Sequence, residues 1–474
     1  MYLKAQTLAA GLLCLFLQSC ALAPEYQRPA MPVASNLPAQ QTGQTNGTIG
    51  SRTVNEAAET GWHEYFPDPA LQQLIKTALD NNRDLRVSAL AVETFQAQYR
   101  IQRAALFPAV SGAGSAAKQR TFLAGNHVTA ESYSLSAGIT AYELDLFGRV
   151  KNLKEDALEQ YLASEESHRS ARISLVAEVA NAYLTLLADR ELLTITEDTF
   201  RNEEESYRII EERVTEGIAN QLDLAQARTS LETARANLAL FRRLIGQDIN
   251  NLTLLTGGTT LPVNGPGEKS LSDQTPFSDL PAAMSSQVLL QRPDIMAAEH
   301  ELKGAHANIG AARAAFFPSV SLTATAGVIS PDLSGLFDGD SGTWLFSPAI
   351  NLPIFTAGRL QAQLDVAELR REISIARYEK AIQAAFRELA DALVARDNYG
   401  EQLAAQKANL DASQTYYILA RERYQQGLDS FLTLLDAQRS LYIARQNYVT
   451  VQLAQLVNQV NLYKALGGGW KERS

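Results

Sequence analysis

The sequence predicts a mainly α-helical protein with membrane β-strands, built from two tandem copies of one structural unit. Two nearly identical nine-residue stretches, RAALFPAVS (Arg103–Ser111) and RAAFFPSVS (Arg313–Ser321), lie 210 positions apart. The same offset relates Gly217 to Gly427 and the long segments around them, with no net insertion or deletion. A constant offset over so much of the chain indicates duplication of a large unit rather than a short solenoid repeat.

Composition argues against one class of function. The chain has 474 residues, of which 46% are hydrophobic and 20% charged, as is typical of an ordered protein too long for one small core. Its net charge is −10 and its pI is about 5.2. A surface that binds nucleic acid must be basic to neutralise phosphates, so we expect no nucleic-acid partner.

The N-terminus has the features of a bacterial lipoprotein signal. Lys4 supplies a positive charge, and Leu8–Leu17 is an apolar run too short to span a bilayer. The run ends in LQSC, so we expect residues 1–19 to be removed and Cys20 to carry diacylglycerol and an N-acyl chain. Gln18 stands where such signals usually have a smaller residue, which leaves a plain secretory signal as the alternative.

Each copy begins with an amphipathic helix and a β-hairpin. Both helices stop at a Phe-Pro pair, because proline lacks the amide proton and disfavours helix in the residue before it. Apolar and polar residues then alternate, which predicts strands with one apolar and one polar face. The alternating runs are about 10 residues long, the length at which a tilted strand crosses a bilayer. The expected bounds are 84–106 and 294–316 for the helices and about 109–146 and 319–354 for the hairpins, with polar loops at Leu123–Thr129 and Ser330–Gly342.

A long helical hairpin follows in each copy. Residues 149–216 and 359–426 contain no proline. A helix of that length measures on the order of 100 Å at about 1.5 Å per residue. Gly217 and Gly427 come next, and glycine is the residue that most readily ends a helix. Return helices are expected at 221–255 and 430–466.

Four candidate membrane strands cannot close a barrel by themselves. An open edge in lipid leaves backbone groups unsatisfied, and the smallest closed membrane barrels have about eight strands. If the strands lie in lipid, the chain must oligomerise and contribute part of a shared barrel. The alternative is a soluble β-domain joined to coiled-coil stalks, which alternation alone does not exclude.

Four motifs, taken together, resemble a known family. They are ELDLFGR (Glu143–Arg149), LPIFTAGR (Leu352–Arg359), LTLLDAQRSL (Leu432–Leu441) and NLYKALGGGW (Asn461–Trp470). With the lipoprotein signal and the duplicated hairpins, they resemble the outer-membrane channels of tripartite RND (resistance–nodulation–division) efflux systems. The similarity is strongest to the OprM-like lipoprotein branch of the TolC superfamily and covers nearly the whole chain from Cys20.

The resemblance implies a fold, a location and partners. A homotrimer would form one 12-strand β-barrel in the outer membrane of a Gram-negative bacterium, continued by a periplasmic α-barrel. This duct would receive drugs and other small molecules from an inner-membrane RND transporter through a periplasmic adaptor (membrane fusion) protein. It would conduct them passively, with no enzyme activity and no cofactor beyond the lipid on Cys20. The alternative is an elongated periplasmic lipoprotein that acts as an adaptor or envelope scaffold without a pore.

The expected organisation has six parts. They are a signal peptide at 1–19, a lipid-anchored extended strap at 20–66, a first repeat at 67–257, an inter-repeat equatorial segment at 258–292, a second repeat at 293–466 and a C-terminal tail at 467–474. The exported substrates and the identities of the pump and adaptor are not specified by the sequence.

The candidate functional residues lie near the helical turns rather than in a catalytic cluster. Leu432, Asp436 and Arg439 are spaced by four and three residues, so they share one helix face. The resemblance places Leu432 and Asp436 at a periplasmic aperture, and it assigns Arg439 and Tyr424 to contacts that hold the closed state. The positions 210 earlier than Asp436 and Arg439 are Gln226 and Thr229, as expected if only the second copy forms the gate. An ordinary solvated ion pair is the alternative.

Three further assignments complete the prediction. Gly217 and Gly427 are expected to present the turns to the adaptor, although turn geometry alone also explains them. Trp344 and Phe346 flank a membrane strand and fit an aromatic belt, with core packing as the alternative. The five histidines are scattered and predict no metal site.

Overall fold

The computed structural model describes residues 22–34, 61–123, 125–258, 270–271, 274 and 285–468. The signal peptide, Cys20, most of the strap, much of the equatorial segment and the end of the tail therefore lie outside the described residues. The helices are α1 (Trp62–Tyr65), α2 (Pro69–Asn81), α3 (Arg83–Ala104), α4 (Arg149–Thr215), α5 (Gln221–Leu255), α6 (Pro293–Ala314), α7 (Arg359–Gln425) and α8 (Phe431–Ala465). The strands are β1 (Val110–Leu123), β2 (Asn126–Leu144), β3 (Ser319–Ser330) and β4 (Gly342–Asn351).

The chain divides into two compact units. The sheet unit comprises Met1–Ala30, Leu90–Glu165 and Met296–Lys380, and the helical unit comprises Met31–Ala89, Glu166–Ile295 and Ala381–Ser474. Each repeat contributes to both units. The duplication therefore produces two structurally different bodies, each assembled from both copies.

The sheet unit contains one antiparallel sheet in the order β1-β2-β3-β4. Directly opposed residues share a face of such a sheet, so the register assigns every residue to one of two faces. One face is apolar and includes Val110, Leu135, Ile139, Leu322, Val328, Trp344, Phe346 and Ile350. The other face is polar and includes Ser111, Ser115, Ser134, Ser136, Ser321, Thr323, Thr325, Thr343 and Ser347.

The first hairpin lies within the predicted bounds of about 109–146, but its paired strands are longer and its loop is shorter than the sequence predicts. The expected polar loop Leu123–Thr129 is wrong, because pairing continues to Leu123 opposite Asn126. Polar residues can extend a strand beyond the apolar part, where the cross-strand pair Lys118–Glu131 forms a 2.5 Å salt bridge. The apolar face therefore ends before this pair, and the hairpin continues as a polar extension.

Both outer strands of the sheet keep a free edge. Within the described residues, β1 pairs only with β2 and β4 pairs only with β3. A bulge between Ile139 and Tyr142 interrupts the central pairing, and Ala141 there has a φ of 53°. The Ala141 amide is satisfied by the Thr323 hydroxyl at 3.1 Å, so the bulge is a defined feature of the sheet.

The helical unit is built around an aromatic core at α1. Tyr65 stacks on Tyr463 with ring centroids 4.4 Å apart, and its hydroxyl donates to the Gln459 carbonyl at 2.8 Å. Asp68 caps α2 through the Ala70 amide and accepts a hydrogen bond from Tyr183. In α4, one 18-residue window is apolar enough to cross a membrane, but 67% of it is buried in the protein, as in a core helix.

Candidate functional site

The helical hairpins turn in the same way in both repeats. Gly217 and Gly427 have φ values of 75° and 71°, which only glycine adopts without strain. The amides of the following residues, Ile218 and Leu428, donate back to carbonyls five residues earlier, at 2.8 and 2.9 Å. This is the Schellman arrangement that ends helices at glycine. Ile218 and Leu428 are themselves 70% and 61% exposed, so each turn presents one apolar side chain to its surroundings.

The predicted gate residues of α8 lie on its exposed face. Leu432 is 58% exposed, and Asp436 and Arg439 are also exposed, whereas Leu434 and Leu435 beside them are buried. The three predicted side chains are therefore available to a neighbouring surface. Because they are spaced by four and three residues, they lie on one face of α8.

Asp436 and Arg439 do not pair with each other within the described residues. Asp436 accepts a hydrogen bond from the Tyr416 hydroxyl at 3.2 Å. Arg439 acts on Glu203 of α4, a carboxyl that is only 5% exposed. Burial raises the pKa of Glu203 to about 7, and the positive charge of Arg439 partly opposes that rise.

Tyr424 connects the two hairpins. Its hydroxyl accepts a hydrogen bond from Arg213 at 3.0 Å, and the Arg213 guanidinium lies 5.5 Å from the centroid of the Tyr424 ring. Ile210, Ala227, Phe431 and Leu435 form a small buried cluster beneath this contact. Local sequence patterns identify Tyr424 but not Arg213 or Glu203, because both contacts join residues that are more than 200 positions apart.

A signal for Arg213 is nevertheless present in the repeat. Its counterpart Arg423 forms a salt bridge with Asp429 at 2.7 Å inside its own turn. The residue equivalent to Asp429 in the first copy is Ala219, which has no charge. Arg213 therefore lacks the local partner that Arg423 has, and its guanidinium is available to Tyr424.

The two aromatic residues of β4 lie on the apolar face of the sheet. Trp344 is 79% exposed and Phe346 is 61% exposed in the single chain. They lie opposite Ala326 and Ala324 on β3. Neither residue is part of a protomer core, so these large apolar surfaces face outward from the sheet.

Residues 22–30 of the strap dock on α6 in the sheet unit. Arg28 contacts Glu299 with both nitrogens of its fork, at 3.0 and 2.8 Å, and the Tyr26 hydroxyl donates to the same carboxylate at 3.0 Å. Glu299 is 5% exposed, so it is a buried charge satisfied by the strap. The strap passes so close to Gly310 that a Cβ there would lie 2.7 Å from the Cβ of Ala23.

The strap also contacts the end of α6. Arg313, at the end of α6, donates to the Leu22 carbonyl at 3.5 Å. Helix α6 ends five residues before β3 begins. Leu22, the first described residue of the strap, therefore lies near the end of the helix that leads into the sheet.

Among the described residues, no group of three or more His, Cys, Asp or Glu side chains could hold a metal ion. The one His–carboxylate contact of note joins His300 to Glu159 at 2.6 Å. It is a paired contact between α6 and α4, with no third ligand.

Comparison with known proteins gives a consistent result. The family model "Outer membrane efflux protein" matches residues 74–258 and again residues 284–468, so the two matches are offset by the same 210 positions as the sequence repeat. "Antibiotic efflux pump outer membrane protein ArpC" of Pseudomonas putida is 51% identical over 98% of this chain and 96% of its own length. "Cation efflux system protein CusC" of Escherichia coli O157:H7 is 44% identical, covering 97% of each.

The solved structures include the open state of the Neisseria gonorrhoeae MtrE outer membrane channel. It matches with a TM-score of 0.84 and 39% identity, over 95% of this chain and 98% of that one. The predicted fold class, with two tandem repeats that each give a β-hairpin and a long helical hairpin, is confirmed.

Proposed function

This chain belongs to the outer membrane efflux protein family, and from that membership we propose that it is the trimeric, gated exit duct of a tripartite pump. It is an outer-membrane efflux channel of a Gram-negative bacterium. The observation that carries the proposal is the four-stranded sheet with one apolar face, one polar face and two free edges. The alternative, a scaffold without a pore, leaves this sheet unexplained.

The free edges support oligomerisation. In lipid the unpaired amides and carbonyls of β1 and β4 must find partners, and other copies of the same sheet provide them. Pairing β4 of one copy with β1 of the next closes a ring, and three copies supply 12 strands. The apolar face with Trp344 and Phe346 then contacts lipid, and the serine and threonine face lines the pore.

The hairpin turns are the proposed contacts to a periplasmic adaptor, which in turn connects the duct to an inner-membrane RND transporter. Gly217 and Gly427 leave the two turns sterically open, and Ile218 and Leu428 give each turn an exposed apolar side chain. Two equivalent turns in each protomer offer a partner two similar docking points. A helical adaptor tip with an apolar side chain fits this surface.

The proposed gate consists of Leu432, Asp436, Arg439 and Tyr424. Leu432 and Asp436 are exposed on α8 and available to form an apolar and an acidic ring in a trimer. Tyr424 ties the second hairpin to Arg213 of the first, so opening requires that contact to break. Arg439 faces the buried Glu203 of the first hairpin, which gives the two hairpins a second electrostatic connection.

We also propose a lipid anchor on Cys20. The strap places the chain two residues after Cys20 beside the end of α6, next to the start of the membrane sheet. An acyl chain attached there reaches the membrane without passing through the pore. Buried Glu299, paired with Arg28 and Tyr26, holds the strap in that position.

The cargo that fits best is organic. ArpC is 51% identical to this chain, whereas CusC is 44% identical. We therefore propose for this channel the kind of cargo named for ArpC rather than the cation named for CusC.

Single-channel conductance in planar bilayers tests the duct and the gate together. The wild type is compared with Asp436→Ala/Arg439→Ala, and Glu204→Gln, an exposed change on α4, serves as the control. A small wild-type conductance that increases several-fold in the double variant supports both parts. Equal conductance in the two channels contradicts the gate, and stable inserted trimers that do not conduct contradict the duct.

A further inference from the structure

A groove in the sheet unit lies between the first turns of α4 and α7 and the last turns of α6. Its volume is about 520 Å³, and its floor is made of small apolar residues such as Ala311, Ala315 and Ala367. Arg149 and Arg359, the first residues of the two long helices, line it together with Arg370. A second cavity of about 310 Å³ shares Arg149, Ala315, Arg359 and Gln363 with it.

Two of the three arginines have no ion pair among the described residues. Arg149 is neutralised by Glu143, with contacts of 2.9 and 2.5 Å. The residue equivalent to Glu143 in the second copy is Pro353, so Arg359 has no matching carboxylate. The Arg359 side chain donates only to the Gln363 amide oxygen at 3.3 Å within the described part of the chain.

Arg370 is the second free cation of the groove. The charge that acts on it is Asp156, whose carboxylate already accepts hydrogen bonds from Asn308 and Gln160 at 3.1 and 3.0 Å. No described residue forms a salt bridge or hydrogen bond with the Arg370 guanidinium. The groove therefore combines an apolar floor with two guanidinium groups whose donors are largely unused, which is a complementary environment for an anion with an apolar body.

The groove and the strap lie on opposite sides of α6. The strap contacts Glu299, Gly310 and Arg313, whereas the groove is lined by Asn308 and Ala311. At about 100° per residue, these two sets point in roughly opposite directions around the helix. The strap leads to the lipid-bearing Cys20 and so lies on the outside of the duct, and the groove consequently faces the interior.

We propose that this groove is a transit site for exported organic anions, in which an aromatic or aliphatic body lies on the alanine floor and a carboxylate or sulfonate contacts Arg359 and Arg370. The site rests on the proposed function, because its exposure to the interior follows from the duct and the lipid anchor. It would make the channel selective among organic cargoes at the junction between the helices and the sheet.

Block of the channel current by two small probes tests the site. The probes are 2-naphthalenesulfonate and the neutral 2-naphthalenemethanol, which share one ring system and differ in charge. In wild-type channels in planar bilayers, the sulfonate is expected to reduce the current at lower concentration than the alcohol. In Arg359→Gln/Arg370→Gln, the sulfonate should bind about tenfold more weakly, as expected when charge-assisted hydrogen bonds are lost, while block by the alcohol stays the same.

Two further variants separate charge from folding. Arg359→Lys/Arg370→Lys keeps both charges and should retain most of the sulfonate block. Arg120→Gln removes an exposed charge from β1, outside the groove. It should leave the block by both probes unchanged.

Three outcomes overturn the site. Sulfonate block that is unchanged in the glutamine variant contradicts the site but leaves the duct intact, since the channel still conducts. Glutamine variants that lose trimer assembly while the lysine variants keep it show that the groove is instead a subunit interface. Stable trimers that carry no current contradict the proposed function itself.

Discussion

The two repeats share a backbone but use different polar residues to hold it. At the start of the first repeat, Asn82 donates to the Leu255 carbonyl at 2.9 Å. At the equivalent place in the second repeat, Arg292 donates to the Ala465 carbonyl at 2.9 Å and also pairs with Asp294 and Glu388. We call this side-chain contact to the end of the return helix the latch. It is made by the neutral Asn82 in the first copy and by the charged Arg292 in the second.

The hairpin tips differ in the same way. Arg423 is occupied by Asp429 inside the second turn, whereas Arg213 of the first turn is left for Tyr424. Duplication fixed the helix ends and the glycine turns, and later divergence changed the partners of equivalent arginines. The contact between the hairpins depends on this asymmetry.

Two acids whose pKa values are raised to about 7 lie in the first copy. Burial raises the pKa of Glu203 to about 7, and burial together with the neighbouring Asp189 raises that of Asp248 to about 7. The positions 210 later than Glu203 and Asp248 are Ser413 and Asn458, which do not titrate. The first hairpin is consequently sensitive to pH near neutrality, and the equivalent positions of the second are not.

The latch gives the largest expected effect on stability. Arg292→Ala leaves Asp294 and Glu388 without their shared cation and the Ala465 carbonyl without its donor, which should destabilise the folded protein by about 3 kcal/mol. Asn82→Ala removes one neutral hydrogen bond and should cost about 1 kcal/mol. Denaturant unfolding followed by circular dichroism measures both. Equal losses of stability in the two variants would show that the ion pairs of Arg292 contribute nothing beyond one neutral hydrogen bond.

Making the tips alike should open the channel. Ala219→Asp gives Arg213 the local partner that Arg423 already has, so the contact to Tyr424 is weakened. We expect a conductance increase of about twofold to tenfold, because a net hydrogen bond contributes about 0.5 to 1.5 kcal/mol. Asp429→Ala, which frees Arg423 but leaves the Arg213–Tyr424 contact in place, is the matched control. An increase in the control but not in Ala219→Asp would show that the Arg423–Asp429 pair, and not the Arg213–Tyr424 contact, holds the channel closed.

The last comparison concerns pH. The pKa of Glu203 is raised from 4.5 to about 7, so the folded state holds the proton more tightly than the unfolded chain. The stability that this group contributes is therefore complete below about pH 4.5 and is lost as the pH rises through about 7. Glu203→Gln should flatten the melting temperature between these values, whereas the exposed neighbour Glu204→Gln should not. An unchanged slope in Glu203→Gln would assign the dependence to Asp248 or another group.

Local patterns predict most of the secondary structure. The Phe-Pro pairs mark where α3 and α6 give way to strands, and Gly217 and Gly427 mark the turns, because proline and glycine act through their own backbone preferences. The alternation of apolar and polar residues along the strands predicts the two faces of the sheet. The polar extension of β1 was missed because cross-strand pairs, not periodicity, keep it in the sheet.

The long-range contacts of the site could not be predicted in the same way. The pairs Arg213–Tyr424, Arg28–Glu299 and Arg292–Glu388 join residues distant in sequence, and nothing local to either partner specifies the other. The constant offset of 210 positions identifies some of these residues. It compares each residue with its counterpart, so a lost partner such as Ala219 in place of Asp429 becomes visible.

The strap has a consequence for the order in which the protein matures. Arg28 and Glu299 are separated by 271 residues, so the docking site for the strap does not exist until the second repeat has been delivered and α6 has formed. Closing so long a loop is entropically unfavourable and is slow compared with local helix formation. The strap is therefore among the last segments to settle. In a newly exported chain, the N-terminal segment would therefore still be free while the two repeats fold.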